Sequence, residues 1–119
     1  MKMIEKCPIC NGKVRVSAVK CPDCGTEIKG MFSLSAISRL SYDDQQFIIA
    51  FILSGGKLKD LAKKTGVSYP TIRVRLDGVM KRLSLAVDQY KEDERNNILN
   101  ELEKKNILPE VAAEWIREL

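Results

Sequence analysis

Residues 58–83, LKDLAKKTGVSYPTIRVRLDGVMKRL, admit few folds, because one glycine stands between two stretches of helical period. Before it, Leu58, Leu61 and Ala62 fall at the i, i+3, i+4 spacing of a single buried helix face. Gly66 can take a positive φ without steric cost, so it ends that helix. Ser68 suits the N-cap of a second helix, and Pro70 in its first turn lacks only an N–H that a helix start cannot use. Beyond it Ile72, Leu76, Val79, Met80 and Leu83 form an apolar stripe. Small Ala62 lets the two helices cross closely. The pattern is that of a helix-turn-helix, whose second helix reads the major groove of DNA.

The charge around this stretch points the same way. Residues 57–82 carry eight Lys/Arg against Asp60 and Asp77, a net of +6. Tyr69, Thr71, Arg73, Val74 and Arg75 lie off the apolar stripe and face outward. An Arg bonds guanine bidentately, and a Thr methyl or Val touches a thymine methyl. The expected contacts with double-stranded DNA are therefore Ser68, Tyr69 and Thr71, with Arg73 and Arg75 as base readers. Lys57, Lys59, Lys63, Lys64, Lys81 and Arg82 are expected at phosphates. Residues 88–119 reverse the balance, with five basic and nine acidic side chains.

The N-terminal region reads as a metal module. Cys7-Pro-Ile-Cys10 and Cys21-Pro-Asp-Cys24 have the paired spacing in which two knuckles close a tetrahedral shell. Asn11-Gly12 and Gly25 can take the left-handed turn that aims backbone N–H groups at the sulfurs. Lys13 to Ser17 alternates polar and apolar as a half-buried strand does, with Thr26 to Ile28 beside it. Some thirty residues cannot bury a sufficient core, so one structural Zn²⁺ on Cys7, Cys10, Cys21 and Cys24 would carry much of the folding free energy. Four thiolates leave no open position for catalysis. Iron in a rubredoxin-like site uses similar spacing. Two disulfides or a doubled redox pair suit a cytoplasmic chain less well.

Residues 31–40 are expected to be a linker, tacked down by Met31, Phe32, Leu34 and Ile37. Ser41-Tyr-Asp-Asp44 has the form of a capping box, which starts a helix near Tyr42. Its inner face is Phe47, Ile48, Phe51 and Ile52, and Ser54-Gly55-Gly56 stops it. Ile49 and Leu53 are surplus apolar surface, most cheaply covered by the chain's own ribbon or tail. Leu76, Met80, Leu83, Val87 and Tyr90 make a short heptad seam, which would extend the second helix to about Tyr90 and could pair two copies. Lys91 to Arg95 reads as a charged break or a solvated helix start. Ile98, Leu99 and Leu102 mark a helix ending near Asn106, and Pro109 opens the last one. Trp115 there is expected to pack in this hairpin rather than serve as a contact anchor.

The expected fold is thus mainly α with a small β zinc ribbon: ribbon 1–30, linker 31–40, helix-turn-helix domain 41–90 and C-terminal helical hairpin 91–119. The 119 residues hold 45% hydrophobic side chains, enough for a core, but no apolar run long enough for a membrane span and no secretory signal. That implies a cytoplasmic protein. Histidine is absent and no nucleophile–base set is visible, which argues against an enzyme.

CPIC…CPDCG, the linker ending in RLS, and SGGKLKDLAKKTGVSYPTIRVRLD together resemble a family of small prokaryotic zinc-ribbon plus helix-turn-helix proteins of unassigned function. The stretch from Leu61 to Leu83 is also similar to the DNA-binding helices of LuxR-type regulators and sigma factor region 4. That likeness implies that Thr71, Arg73 and Arg75 face DNA while Ile72 and Leu76 are core. Pro70 departs from those larger families. Arg95 to Leu119 is similar to a C-terminal helical module thought to mediate assembly. The reading is a homodimeric, sequence-specific transcription regulator. Its rival is an adaptor whose ribbon or hairpin binds protein, such as RNA polymerase or a membrane-associated partner.

Overall fold

The computed structural model describes Ile4 and residues 6–119. The chain runs through a two-stranded antiparallel hairpin, β1 (Val16–Lys20) and β2 (Glu27–Phe32), and a single 3-10 turn (Ile37–Arg39). Four helices follow: α1 (Tyr42–Leu53), α2 (Leu58–Thr65), α3 (Tyr69–Glu103) and α4 (Pro109–Arg117). The architecture is mainly helical, with an N-terminal ribbon and a helix-turn-helix.

The ends of the first three helices follow from local chemistry. Ser41 Oγ accepts the Asp44 backbone N–H at 3.1 Å and caps α1. Gly55 and Gly56, at φ 71° and 76°, close it by donating to Ile52 O and Phe51 O. Gly66, at φ 71°, makes the corner after α2, and Ser68 Oγ accepts from Thr71 N–H to cap α3. The core of the unit is Phe47, Leu61, Ala62, Ile72 and Val79, with Ile48, Phe51, Leu58 and Leu76 packed around it.

Four expectations need correction. β1 starts at Val16 rather than Lys13, which makes only an isolated bridge with Lys6. The linker is shorter than expected, since Met31 and Phe32 complete β2. Ile52 and Met80 are exposed, not on the inner faces of their helices. The largest difference is α3 itself, which runs unbroken for 35 residues through Lys91 to Arg95. No glycine or proline occurs between Gly78 and Pro109, and Lys, Glu and Arg are good helix formers, so charge alone does not stop the helix. The boundary expected at residue 90 therefore falls inside α3, and the last third of this helix is the first limb of the C-terminal hairpin.

α3 ends by backbone geometry instead. Lys105 sits at φ 59°, where Lys105 N–H donates to Leu102 O and Asn106 N–H to Glu101 O at 3.0 Å. This is the two-bond αL termination that glycine usually supplies. α4 then folds back onto α3, with Ala112 of the one and Ile98 of the other buried. At 1.5 Å per residue α3 is about 52 Å long, and it sets the longest dimension of the molecule, 55 Å. The radius of gyration, 18.6 Å, exceeds the roughly 13.5 Å of a compact chain this size.

Candidate nucleic-acid interface and metal knuckles

Each CxxC pair is built as a knuckle by the same bonds. Cys7 N–H donates to Gly12 O at 2.9 Å and Asn11 N–H to Cys7 O at 2.9 Å, with Asn11 at φ 59°. In the second, Cys21 N–H donates to Thr26 O at 2.8 Å and Gly25 N–H to Cys21 O at 2.9 Å, with Gly25 at φ 76°. The turns aim donors at sulfur. Ile9 N–H lies 3.4 Å from Cys7 Sγ, and the Thr26 hydroxyl lies 3.0 Å from Cys24 Sγ. Backbone N–H groups of Cys10 and Ile9, then the Cys10 side chain, hold the Cys7 thiol below its ordinary pKa. The Thr26 hydroxyl and backbone, then Cys21, do the same for Cys24.

All four cysteines are free thiols. Each pair is the right donor set for half of a thiolate shell, and the depressed pKa values favour the form that binds metal. Among the described residues, no three Cys, Asp or Glu side chains are gathered into one cluster. The fold thus joins Cys7 to Cys10 and Cys21 to Cys24, while closure of the two pairs on one ion would be the work of the metal. Thr26 was expected only as a strand residue, not as a partner of sulfur. Its place two residues after Cys24 is the only signal it carried.

The helix-turn-helix face divides its basic residues into two sets. Lys57, Lys59, Lys63, Lys64 and Lys81 are exposed. A shallow groove lined by Lys57, Lys59 and Tyr69 brings the start of α2 against the start of α3. Tyr69, Thr71, Arg73 and Val74 are exposed on the first two turns of α3. Ser68 and Thr71 share a 2.8 Å hydroxyl contact within the cap. Arg73 is 54% exposed, with only an i, i+4 contact to Asp77 at 3.5 Å.

Arg75 and Arg82 face the other way. The Arg75 guanidinium lies 5.2 Å from the centre of the Phe47 ring and 3.4 Å from Asp43 O. Arg82 grips the Asp44 carboxylate with two bonds, Nε at 2.6 Å and Nη2 at 2.8 Å. Asp44 is 8% exposed at the side chain and its pKa is lowered, chiefly by the Arg82 hydrogen bonds, against the opposing effect of burial. The Ser41 half of the capping box thus forms, while the Asp44 carboxylate is held chiefly by Arg82. A Cβ at position 78 would stand 3.1 Å from the Arg82 guanidinium, which would have to give by a few tenths of an ångström.

A second clamp fixes the linker. Arg39 is paired with Asp93, lies 5.4 Å from the Tyr90 ring centre, and donates to Leu34 O at 3.1 Å. Burial raises the Asp93 pKa, but the bonds from Arg39 and Gln89 outweigh it and leave the carboxyl below its ordinary range. Tyr90, the last residue of the expected seam, is therefore covered by the chain's own linker.

These features define the class: a zinc-ribbon protein with a helix-turn-helix, a pairing typical of non-catalytic binding proteins. Residues 7–38 match the DUF2089 zinc ribbon and residues 40–86 match the domain of unknown function (DUF2089)-HTH, in tandem and in that order. The chain belongs to this DUF2089 family, whose function is unassigned. No curated protein and no solved structure matches it. Among the described residues no helix is long and apolar enough to cross a membrane.

Proposed function

We propose that this protein is a sequence-specific DNA-binding transcription regulator whose ribbon is held by one structural Zn²⁺ on Cys7, Cys10, Cys21 and Cys24. The observation that carries the proposal is the free outer face of the first turns of α3. Tyr69, Thr71, Arg73 and Val74 stand clear of the core there, beside exposed Lys57, Lys59, Lys63 and Lys64. Arg73 is the base reader in this reading. Arg75 and Arg82 are engaged with α1, so their part is to hold the recognition helix rather than to read bases. Lys81 and the lysines around α2 meet phosphates. When bound, zinc holds the four thiolates and organises the hairpin, and the metal takes no part in chemistry. A homodimer belongs to the same proposal, since paired half-sites are how such short reading helices gain specificity. The half-exposed Trp115 on α4 favours a protein contact at the C-terminal hairpin in addition to DNA.

Selection of genomic DNA fragments by the metal-loaded protein tests this. Arg73→Ala should weaken the selected site by about 1–3 kcal/mol while leaving random DNA nearly unchanged. Lys63→Ala should weaken every sequence alike and flatten the salt dependence by about one unit. Equal losses on selected and random DNA from both variants would remove the base-reading role. If no motif is enriched, the adaptor reading is the better one.

A further inference from the structure

The two ends of α3 carry opposite charge. Residues 57–82, at its N-terminal end, have a net of +6, and residues 88–119, at the other, have five basic and nine acidic side chains. The helix between them is unbroken. α4 has nine residues, which at 1.5 Å each reach back over only about 14 Å of it. The acidic hairpin therefore cannot cover the first turns of its own α3. A second copy can.

The solvent side of α3 supplies the contact. At 3.6 residues per turn, Val74, Lys81, Leu85, Asp88, Glu92 and Leu99 fall in a strip about 60° wide, opposite buried Ile72 and Val79. All six are exposed, and Val74, Leu85 and Leu99 are 70%, 61% and 44% so. A twofold axis across the middle of α3, between Ala86 and Val87, sets this strip against that of a second copy in register. Val74 then stands opposite the partner's Leu99, and Lys81 opposite the partner's Glu92. On one flank Asp77 comes beside the partner's Arg95. The two copies of Leu85 sit on either side of the axis, about 4.5 Å apart along the helix. Each of these pairs occurs twice, and each joins apolar to apolar or positive to negative.

We infer that two copies of this chain pair antiparallel along the outer strip of α3. Leu99 and Glu103 of each copy then lie against the partner's Val74 and Pro70, at the turns assigned above to DNA. This dimer and duplex DNA therefore exclude one another. The inference rests on that reading of α3 and adds to it a DNA-free state, in which an acidic hairpin covers the partner's basic face. Its charge pairs are exposed, so the dimer is weak and sensitive to salt.

Sedimentation equilibrium of the full metal-loaded chain, at low and at high salt, tests the pairing. At low salt the mass should rise with concentration from 13.4 kDa toward twice that value, and the rise should fade as salt is added. Lys81→Glu and Glu92→Lys should each weaken association about tenfold, because each sets two like-charge pairs in contact. The K81E/E92K double variant should recover it, as should an equimolar mixture of the two single variants. Within one chain the two positions are about 16 Å apart along the helix, so recovery reports a contact between copies. A wild-type chain that stays monomeric at low salt overturns the pairing, and so do single variants that are not rescued by their combination. Binding to a mixed-sequence duplex tests the exclusion. Wild type should lag behind Glu92→Ala at concentrations where it dimerises, and the gap should close on dilution; a gap independent of concentration overturns the exclusion. A chain that binds no duplex at any salt sinks the DNA reading alone, since sedimentation is measured without DNA.

Discussion

The ribbon, residues 7–38, and the helix-turn-helix, residues 40–86, are held together by different means. From α1 to the middle of α3, Phe47, Leu61, Ala62, Ile72 and Val79 interlock in a core that Leu61 and Val79 fill almost without exposure. Among the described residues before Leu40, none is buried. The ribbon has turns, eleven strand residues and N–H groups aimed at sulfur, but no interior. One unit is therefore stabilised by apolar burial, and the other has two thiol pairs where a core would be. The difference shows that one chain can join a unit with an apolar interior to one built of turns around two thiol pairs.

The comparison can be broken most directly by removing the metal. Chelation, or Cys21→Ser, should unfold residues 6–32, because structural zinc contributes on the order of 10 kcal/mol to a domain of this kind. Amide NMR signals of β1 and β2 should collapse toward random-coil positions while those of α1 to α4 persist. If the helices melt along with the ribbon, the two units are not independent. Leu61→Ala should have the opposite pattern. It should cost the helical unit about 3 kcal/mol in a chemical-denaturation curve and leave metal binding intact.

Charge sharpens the same contrast at smaller scale. Arg82→Ala strands the buried Asp44 carboxylate and should cost about 2 kcal/mol, while Asp44→Asn leaves a half-exposed guanidinium in water and should cost less. Thermal melting of both variants checks the asymmetry. Asp44 and Asp93 bind protons less readily in the folded chain than unfolded. Their contribution is thus complete above about pH 4, the unfolded carboxylate value, and is lost as pH falls through their lower folded values. Lys105→Gly should give the smallest effect, a gain of about 0.5–1 kcal/mol, by relieving the left-handed backbone at the end of α3.

Local chemistry was legible before any coordinates. The two knuckles, the Gly66 corner, the Ser41 and Ser68 caps and the buried stripe Leu61–Ala62–Ile72–Val79 all follow from turn propensity and helical period. Each depends on residues close together in the chain, within one or two neighbouring helices. What the period left undecided was which of two adjacent apolar positions goes inside, so Ile52 and Met80 were expected in the core and stand outside it. The charged run at Lys91 to Arg95 reads as a break or a fresh helix start because it lacks a stripe, although nothing in it opposes a continuing helix.

The amino-acid sequence by itself thus determined the class of protein, the two CxxC knuckles and the position of the second helix of the helix-turn-helix. Only the tertiary structure decided the fate of the arginines. Arg73 and Arg75 carry the same expected role in the sequence, yet Arg73 meets only Asp77 on its own helix while Arg75, like Arg82, is engaged with α1. Asp44 lies 38 residues from Arg82, and Arg39 lies 54 from Asp93. Such pairs form because packed helices bring opposite charges to one desolvated place, and no local period records a contact made across the fold.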